Sequence, residues 1–175
     1  MCEQLRAAVP LAEVRQCDAC SLPFEDGFFD AVVANHMLYH VDDPEMALAE
    51  FARVLKPTGK VFIALNGMDH LDELFQIGEI INRTSTIRKV AKVTAENAVA
   101  YLEKHFRAVK SERFPGIFEV SDGQAVVQYL ESVGDSPMTE EETGKVRRVV
   151  EERMKRDGRL RITKNMVLFS GVPLG

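Results

Sequence analysis

No stretch of this 175-residue chain approaches the ~18 consecutive apolar residues of a membrane span, and the N-terminal residues carry no apolar signal region. These absences predict a soluble, cytoplasmic protein with no membrane partner. Positive charge is not in excess either: 22 Lys and Arg stand against 27 Asp and Glu, a net charge of -5. Nucleic-acid binding rests largely on neutralising phosphates, so a nucleic-acid partner is not expected. The basic residues from Lys145 to Arg161 are interleaved with Glu151 and Glu152, the pattern of a solvated helix face. Only three cysteines occur. Cys17 and Cys20 have C-x-x-C spacing, but a reactive pair usually opens a helix and zinc wants four ligands, so packing thiols are expected rather than a metal or redox centre. No Pro/Gly/Ser-rich linker, internal repeat or low-complexity tract divides the chain, and 46% hydrophobic residues suffice for one core. One domain over residues 1–175 is expected.

What is present is concentrated between Cys17 and Asn66. Phe29-Asp30-Ala31-Val32-Val33-Ala34 and Lys60-Val61-Phe62-Ile63-Ala64-Leu65 stay apolar instead of alternating, which predicts strands covered on both faces of a parallel sheet. Asp43 reads as a helix N-cap, Pro44 as a first helical residue, and Lys56 as a cation at the helix end before the Pro57-Thr58-Gly59 turn. Leu48, Phe51, Ala52 and Leu55 repeat at helical spacing and give that helix one apolar face. The unit is a β-α-β with a right-handed crossover. Ligands in such sheets bind beyond the carboxyl ends of the strands, here Cys17-Asp18-Ala19, Asn35-His36-Met37-Leu38 and Asn66-Gly67-Met68.

Three linked segments run in this order: Asp18-Ala19-x-x-Leu22-Pro23-Phe24, Phe28-Phe29-Asp30-Ala31-Val32-Val33, and Leu48-x-Glu50-x-x-Arg53-Val54-Leu55-Lys56-Pro57-x-Gly59. Their residues and spacing resemble the class I S-adenosylmethionine-dependent methyltransferases, in particular the type 11 small-molecule group. The resemblance covers the first half of the chain well and the second half loosely. It implies an α/β fold with a Rossmann-like methyltransferase sheet, mostly parallel with an antiparallel last strand, and an enzyme whose cofactor is S-adenosylmethionine (S-adenosylhomocysteine after transfer). It implies a small-molecule methyl acceptor. By the same resemblance Asp18 accepts a hydrogen bond from the adenine amino group, the Ala19 backbone meets the ring edge, and Asn35, His36, Met37 and Leu38 lie beside the methionine part. Asp18 also reads as a cap of the following turn, and Met37 and Leu38 as plain core. Asp30 is structural. His36 and His40 are candidate general bases for transfer to O or N, although the sulfonium is a good leaving group and much of the catalysis can be positioning of the acceptor.

The resembled family has a G-x-G-x-G loop after its first strand and an acidic residue ending its second. No two glycines here are separated by a single residue, and the sequence aligns as though the fold were N-terminally incomplete, with the first strands missing. Binding at micromolar affinity needs about 8 kcal/mol. The missing groups would supply charge-assisted hydrogen bonds of roughly 1.5–3 kcal/mol each, so this chain alone is expected to bind cofactor no better than millimolar. The strand at Phe29 to Ala34 then becomes an apolar sheet edge that soluble proteins seldom expose. Either the segment Glu13 to Cys17, expected as a strand, covers it, or a homodimer or other partner does. A non-catalytic scaffold that dimerises through this edge is the alternative to an enzyme.

In the second half, a helix is expected from His70 to Arg83, another from Thr94 with Val99, Leu102 and Phe106 as its stripe, a strand from Ala108 to Arg113, a break at Phe114-Pro115-Gly116, and a short extended piece from Ile117 to Val120. Residues 70–107 are a candidate substrate lid. Ser121 or Asp122 caps the next helix, and Thr139-Glu140-Glu141-Glu142 is a capping box for a helix that Gly158 closes. Arg161 to Val172 is the last strand.

Overall fold

A computed structural model of the chain describes residues 2–83, 91–133 and 136–175. Helix α1 (Cys2–Ala8) is followed by an irregular segment, β1 (Phe29–Asn35), a 3-10 turn (Leu38–His40), α2 (Pro44–Val54) and β2 (Leu55–Asn66). Then come α3 (Asp72–Glu79), α4 (Ala98–Leu102), β3 (Phe106–Val120), α5 (Gly123–Ser132), α6 (Glu140–Asp157) and β4 (Leu160–Pro173). No helix among the described residues is long and apolar enough to cross a membrane.

Helix ends follow the expected chemistry. The Asp43 carboxylate accepts the Met46 amide at 3.0 Å with Pro44 in the first turn of α2, and Asp122 caps α5 through the Gln124 amide. Thr139 and Glu142 close a capping box on α6. Gly158, at φ 75°, ends α6 in the left-handed region that a side chain with a Cβ disfavours. The second helix of the sequence reading is shorter than expected: Leu71 adopts φ 60° and α3 runs only from Asp72 to Glu79, and α4 is a five-residue helix.

The sheet has the order β1-β2-β4-β3. β1 and β2 pair in parallel, as the β-α-β reading requires, and β4 is the expected antiparallel last strand, inserted between β2 and β3. A sheet expected to be mostly parallel therefore has one parallel ladder and two antiparallel ones. Two expectations about strands are corrected. Glu13 to Cys17 forms no strand and does not pair with β1; Arg15 instead bonds to Glu13 and to the Pro23 carbonyl, and its guanidinium stacks on Phe24. The Phe114-Pro115-Gly116 break does not occur: β3 runs through it in unbroken register with β4. β3 lies at the sheet edge, where a proline removes no ladder bond that the sheet needs.

The expectation that β1 and β2 are covered on both faces is also corrected. Val61, Ile63 and Leu65 of β2 are 0% exposed, whereas Phe62, Ala64 and Asn66 between them stay partly exposed. β4 repeats this, with Asn165, Val167, Phe169 and Gly171 buried and Met166, Leu168, Ser170 and Val172 partly exposed. The buried face packs on Ala47, Leu48 and Phe51 of α2 and Ala98 and Leu102 of α4. On the other face α3, α5 and α6 form a second core, but only over the far end of the β3-β4 ribbon, at Leu160 and Ile162.

A polar knot joins β4 to the loop after β2. Asn165, the one polar residue in the buried class among those described, donates from Nδ2 to Asp69 Oδ1 at 2.5 Å and accepts from Arg113 Nη1 at 2.8 Å. The Gly67 amide donates to its carbonyl at 2.9 Å. A Cβ on Gly67 would stand 2.7 Å from Asn165 Nδ2, so this position requires glycine. Asn165→Ala strips two partners from the knot, and we expect it to lower unfolding free energy by about 1–3 kcal/mol in a urea titration.

Candidate functional site

Glu50 and Arg53, one turn apart on α2, set the geometry of the site. The Arg53 guanidinium meets Glu50 at 2.7 and 2.8 Å, the Phe24 carbonyl at 2.8 Å, the Leu22 carbonyl at 3.1 Å and Asp26 at 2.7 Å. Glu50 Oε2 also accepts the Leu22 amide at 2.9 Å, and the Gly27 amide donates to the Arg53 carbonyl at 2.9 Å. Planar Arg-carboxylate geometry makes this a directional clamp. Its effect is to hold the loop from Asp18 to Gly27 against α2. Lys56 adds an ion pair to Asp30 at 2.8 Å, the structural role expected for Asp30. The three sequence segments are thus one physical unit.

The clamp fixes the Asp18 turn. Asp18 Oδ1 accepts the Cys20 amide at 2.9 Å, and Asp18 pairs with Ser21 as an isolated bridge. Asp18 therefore does cap the following turn, through one carboxylate oxygen. Ala19, Cys17 and Leu22 from this loop, Ala31 to Ala34 of β1, Met37, and Phe51 and Val54 of α2 line an apolar groove of about 340 Å³ along the edge of β1. Cys20 Sγ lies 3.4 Å from the Asp43 carbonyl, and burial together with the Asp18 charge pushes its thiol pKa up. That environment makes a poor nucleophile. Among the described residues no three His, Cys, Asp or Glu side chains converge as a metal site.

The other sequence-predicted residues follow β1. Asn35 is exposed at its carboxyl end. His36 adopts φ 51°, left-handed for a residue with a Cβ, its amide bonds the Ala64 carbonyl, and its Nδ1 is buried with no hydrogen-bond partner. Asn66, at the carboxyl end of neighbouring β2, has a buried and unpartnered Oδ1. Both atoms can accept, so a ligand or water bearing N–H or O–H groups suits the space between the strand ends. Leu38 is 1% exposed and belongs to the core. His40 is exposed and sits against the Tyr39 ring.

His36 and His40 are not the only histidines at this end of the sheet. His70 reaches the same loops, and its Nδ1 accepts the Asn165 amide at 3.1 Å, which assigns the proton to Nε2. Glu73 beside it accepts the Thr163 amide and hydroxyl, each at 2.7 Å. Burial pushes the Glu73 carboxyl up, but the two Thr163 hydrogen bonds outweigh it and hold the group below the ordinary range. The sequence reading missed His70 and Asn66 as site residues, although Asn66-Gly67-Met68 was already marked as a strand end and His70 lies two residues beyond it. The candidate lid lies partly outside the described residues, at 84–90. Its described portion bridges two loops: Lys92 donates to the Asp42 carbonyl at 2.6 Å, and Glu96 accepts the Met68 amide at 3.0 Å.

Residues 1–63 match the methyltransferase domain family. A 47-residue segment is 51% identical to the demethylmenaquinone methyltransferase of Renibacterium salmoninarum, covering 27% of this chain and 20% of that protein. An 84-residue segment is 37% identical to an uncharacterised methyltransferase of Mycobacterium bovis, covering 47% and 34%. The chain thus spans a fifth to a third of the length of these relatives. The fold matches the YcgJ protein of Bacillus subtilis at a TM-score of 0.61, with 16% identity over 98% of this chain and 76% of that one. It matches a candidate methyltransferase of Bacillus halodurans at 0.62, with 16% identity over 97% and 77%. The first third of the chain is thus similar in sequence to the methyltransferase domain family, and the chain as a whole shares the fold of these two structures.

The clamp has a pH signature. The Arg53 hydrogen bonds hold the Glu50 carboxyl below its ordinary value. Its stabilisation is therefore complete above the unfolded value of about 4.3 and is lost as pH falls through the lower folded value. Melting temperature measured from neutral pH down to about 3 should fall less steeply in Glu50→Gln than in the native chain, from a lower starting point.

Proposed function

We propose that this chain is the catalytic-fold portion of a methyltransferase that moves a methyl group from S-adenosylmethionine to a small-molecule acceptor. The observation that carries this reading is the Glu50–Arg53 clamp, which sets Asp18 and Ala19 at the mouth of an apolar groove flanking the strand ends. The groove suits a flat base. On this reading Asp18 accepts from the amino group of the base and the Ala19 backbone meets its edge, a role supported by the position of Ala19 in the groove lining. Asn35, His36 and Leu38, the last through its backbone, then border the methionine portion, and the unpartnered His36 Nδ1 and Asn66 Oδ1 are acceptors for N–H or O–H groups.

The cofactor, when bound, supplies an electrophilic methyl on a sulfonium. The chain's own residues bind and orient. His36 Nδ1 or His40 is the candidate to take a proton from an acceptor hydroxyl or amine, a duty needed only where that acceptor is protonated at working pH. Within residues 70–107, the described segment that ties to the strand-end loops through Lys92 and Glu96 is the substrate-covering candidate. Similarity over a 47-residue segment to the demethylmenaquinone methyltransferase of Renibacterium supports a small-molecule acceptor, and a cytoplasmic setting goes with the same reading.

The described residues include no glycine-rich loop to hold a ribose or carboxylate, so we expect S-adenosylhomocysteine to bind near millimolar by calorimetry. Asp18→Ala should weaken that binding roughly tenfold, about 1.4 kcal/mol. Absence of heat in the millimolar range would overturn the cofactor site in this chain. It would favour the second reading, a non-catalytic methyltransferase-like scaffold whose open β1 edge is covered by a second copy or another partner. That reading is motivated by β1, which among the described residues pairs on one side only.

A further inference from the structure

At the carboxyl end of β2 the Asn165 knot holds two opposite charges apart. Arg113 of β3 pairs in register with Val167, and Asn165 of β4 with Pro115, so Arg113 and Asn165 are diagonal neighbours on one face of the ribbon. Asn165 Oδ1 accepts from Arg113 Nη1 at 2.8 Å, and its Nδ2 donates to Asp69 Oδ1 at 2.5 Å. A cation and an anion this close ordinarily move together into an ion pair. Here the amide of a residue only 9% exposed stands between them. Asn165 is fixed in turn by the Gly67 amide on its backbone carbonyl and by its own backbone amide on His70 Nδ1. Arg113 and Asp69 are both exposed. Among the described residues the guanidinium has no carboxylate partner, and Asp69 Oδ2 accepts no hydrogen bond. Each charge therefore keeps unused hydrogen-bonding capacity in a fixed position.

We propose that this amide-bridged pair is a binding site for the α-amino acid end of a small molecule, and that the molecule is the methyl acceptor, a role that rests on the methyltransferase reading above. The guanidinium fork takes a carboxylate through two parallel N–H groups, and Asp69 takes the ammonium. Charge balance selects a zwitterion. A lone carboxylate or phosphate at Arg113 would lie beside the Asp69 charge, and a lone ammonium at Asp69 would lie beside the Arg113 charge. The carboxylate and ammonium of an amino acid share one carbon atom. With one hydrogen bond at each end they span the two hydrogen bonds and one amide that separate Arg113 from Asp69. Little freedom is lost on binding, because Asn165 already holds both groups. Placement favours the acceptor over the cofactor as the source of that end group. The groove beside Ala19 runs along β1, whereas Arg113 lies on β3, three strand spacings of ~4.8 Å away.

Amide NMR titration of the full chain with L-alanine, propionate and L-alaninamide tests the site without cofactor or turnover. L-Alanine should shift the amides of Gly67, Asp69, Arg113 and Asn165 saturably in the millimolar range. Propionate, which lacks the ammonium, and L-alaninamide, which lacks the carboxylate, should each bind at least about tenfold more weakly. Arg113→Gln keeps a donor for Asn165 Oδ1 and Asp69→Asn keeps an acceptor for its Nδ2, so each variant leaves the knot closed and removes one charge. Each should weaken L-alanine at least about tenfold with unchanged circular dichroism, and both should leave S-adenosylhomocysteine binding unchanged in calorimetry. No saturable shift with L-alanine overturns the site, as does propionate or L-alaninamide binding as tightly, or indifference to both variants. Heat from S-adenosylhomocysteine in the same samples then leaves the methyltransferase reading standing. Displacement of L-alanine by S-adenosylhomocysteine overturns the acceptor assignment and gives the site to the amino acid end of the cofactor.

Discussion

The guanidinium of Arg53 is the group on which the rest of this structure depends. A ten-residue irregular loop has no ladder of its own, and its carbonyls must find donors if it is to lie against a helix. Arg53 supplies them, meeting the Leu22 and Phe24 carbonyls while Glu50 fixes the plane of the guanidinium and receives the Leu22 amide. A lysine in that place would offer charge without the fork. The same clamp decides where Asp18 and Ala19 stand, so a helix surface pair determines the shape of a groove at the other end of the loop.

A second constraint is the asymmetry of the sheet. Its inner face is closed by α2 and α4, with every second residue of β2 and β4 buried over most of their length, and among the described residues the other face is closed where α3, α5 and α6 pack on the distal ribbon. The Asn165 knot lies on the row between these regimes. It fastens the loop after β2 to β3 and β4 through Asp69, Gly67 and Arg113. The strand-end loops are thereby tied from two directions, by Arg53 on the β1 side and by Asn165 on the β2 side. Between them lie the unpartnered acceptors His36 Nδ1 and Asn66 Oδ1.

Much of this was legible in residue order because it is local. Asp43-Pro44, Asp122 and Thr139 to Glu142 cap helices through bonds that span two or three residues, and the apolar runs at 29–34 and 60–65 lie within β1 and β2. The spacing of Glu50 and Arg53 also carried the family resemblance, although the partners of Arg53 lie about 30 residues upstream and no periodicity names them. Failures came where the environment overrides pattern. Pro115 was read as a break, yet β3 occupies an edge where its missing N–H is harmless. Val33 and Phe62 were read as doubly buried, because an apolar side chain shows a preference for burial and cannot show whether anything arrives to bury it. Glu13 to Cys17 has strand composition, but Arg15 is engaged with Glu13, Pro23 and the Phe24 ring.

The sequence by itself determined α2, α5 and α6 with their caps, the β-α-β unit and the family resemblance of the first third, since propensity, capping and short-range periodicity act within a few residues. Only the tertiary structure decided that β4 separates β2 from β3, that among the described residues one face of the sheet is covered along its length and the other at one end, and that His70 and Asn66 join the strand-end site. Those facts rest on contacts such as Asn165 with Asp69 and Thr163 with Glu73, pairs about 90 residues apart. Their partners are selected by chain topology and not by any local signal.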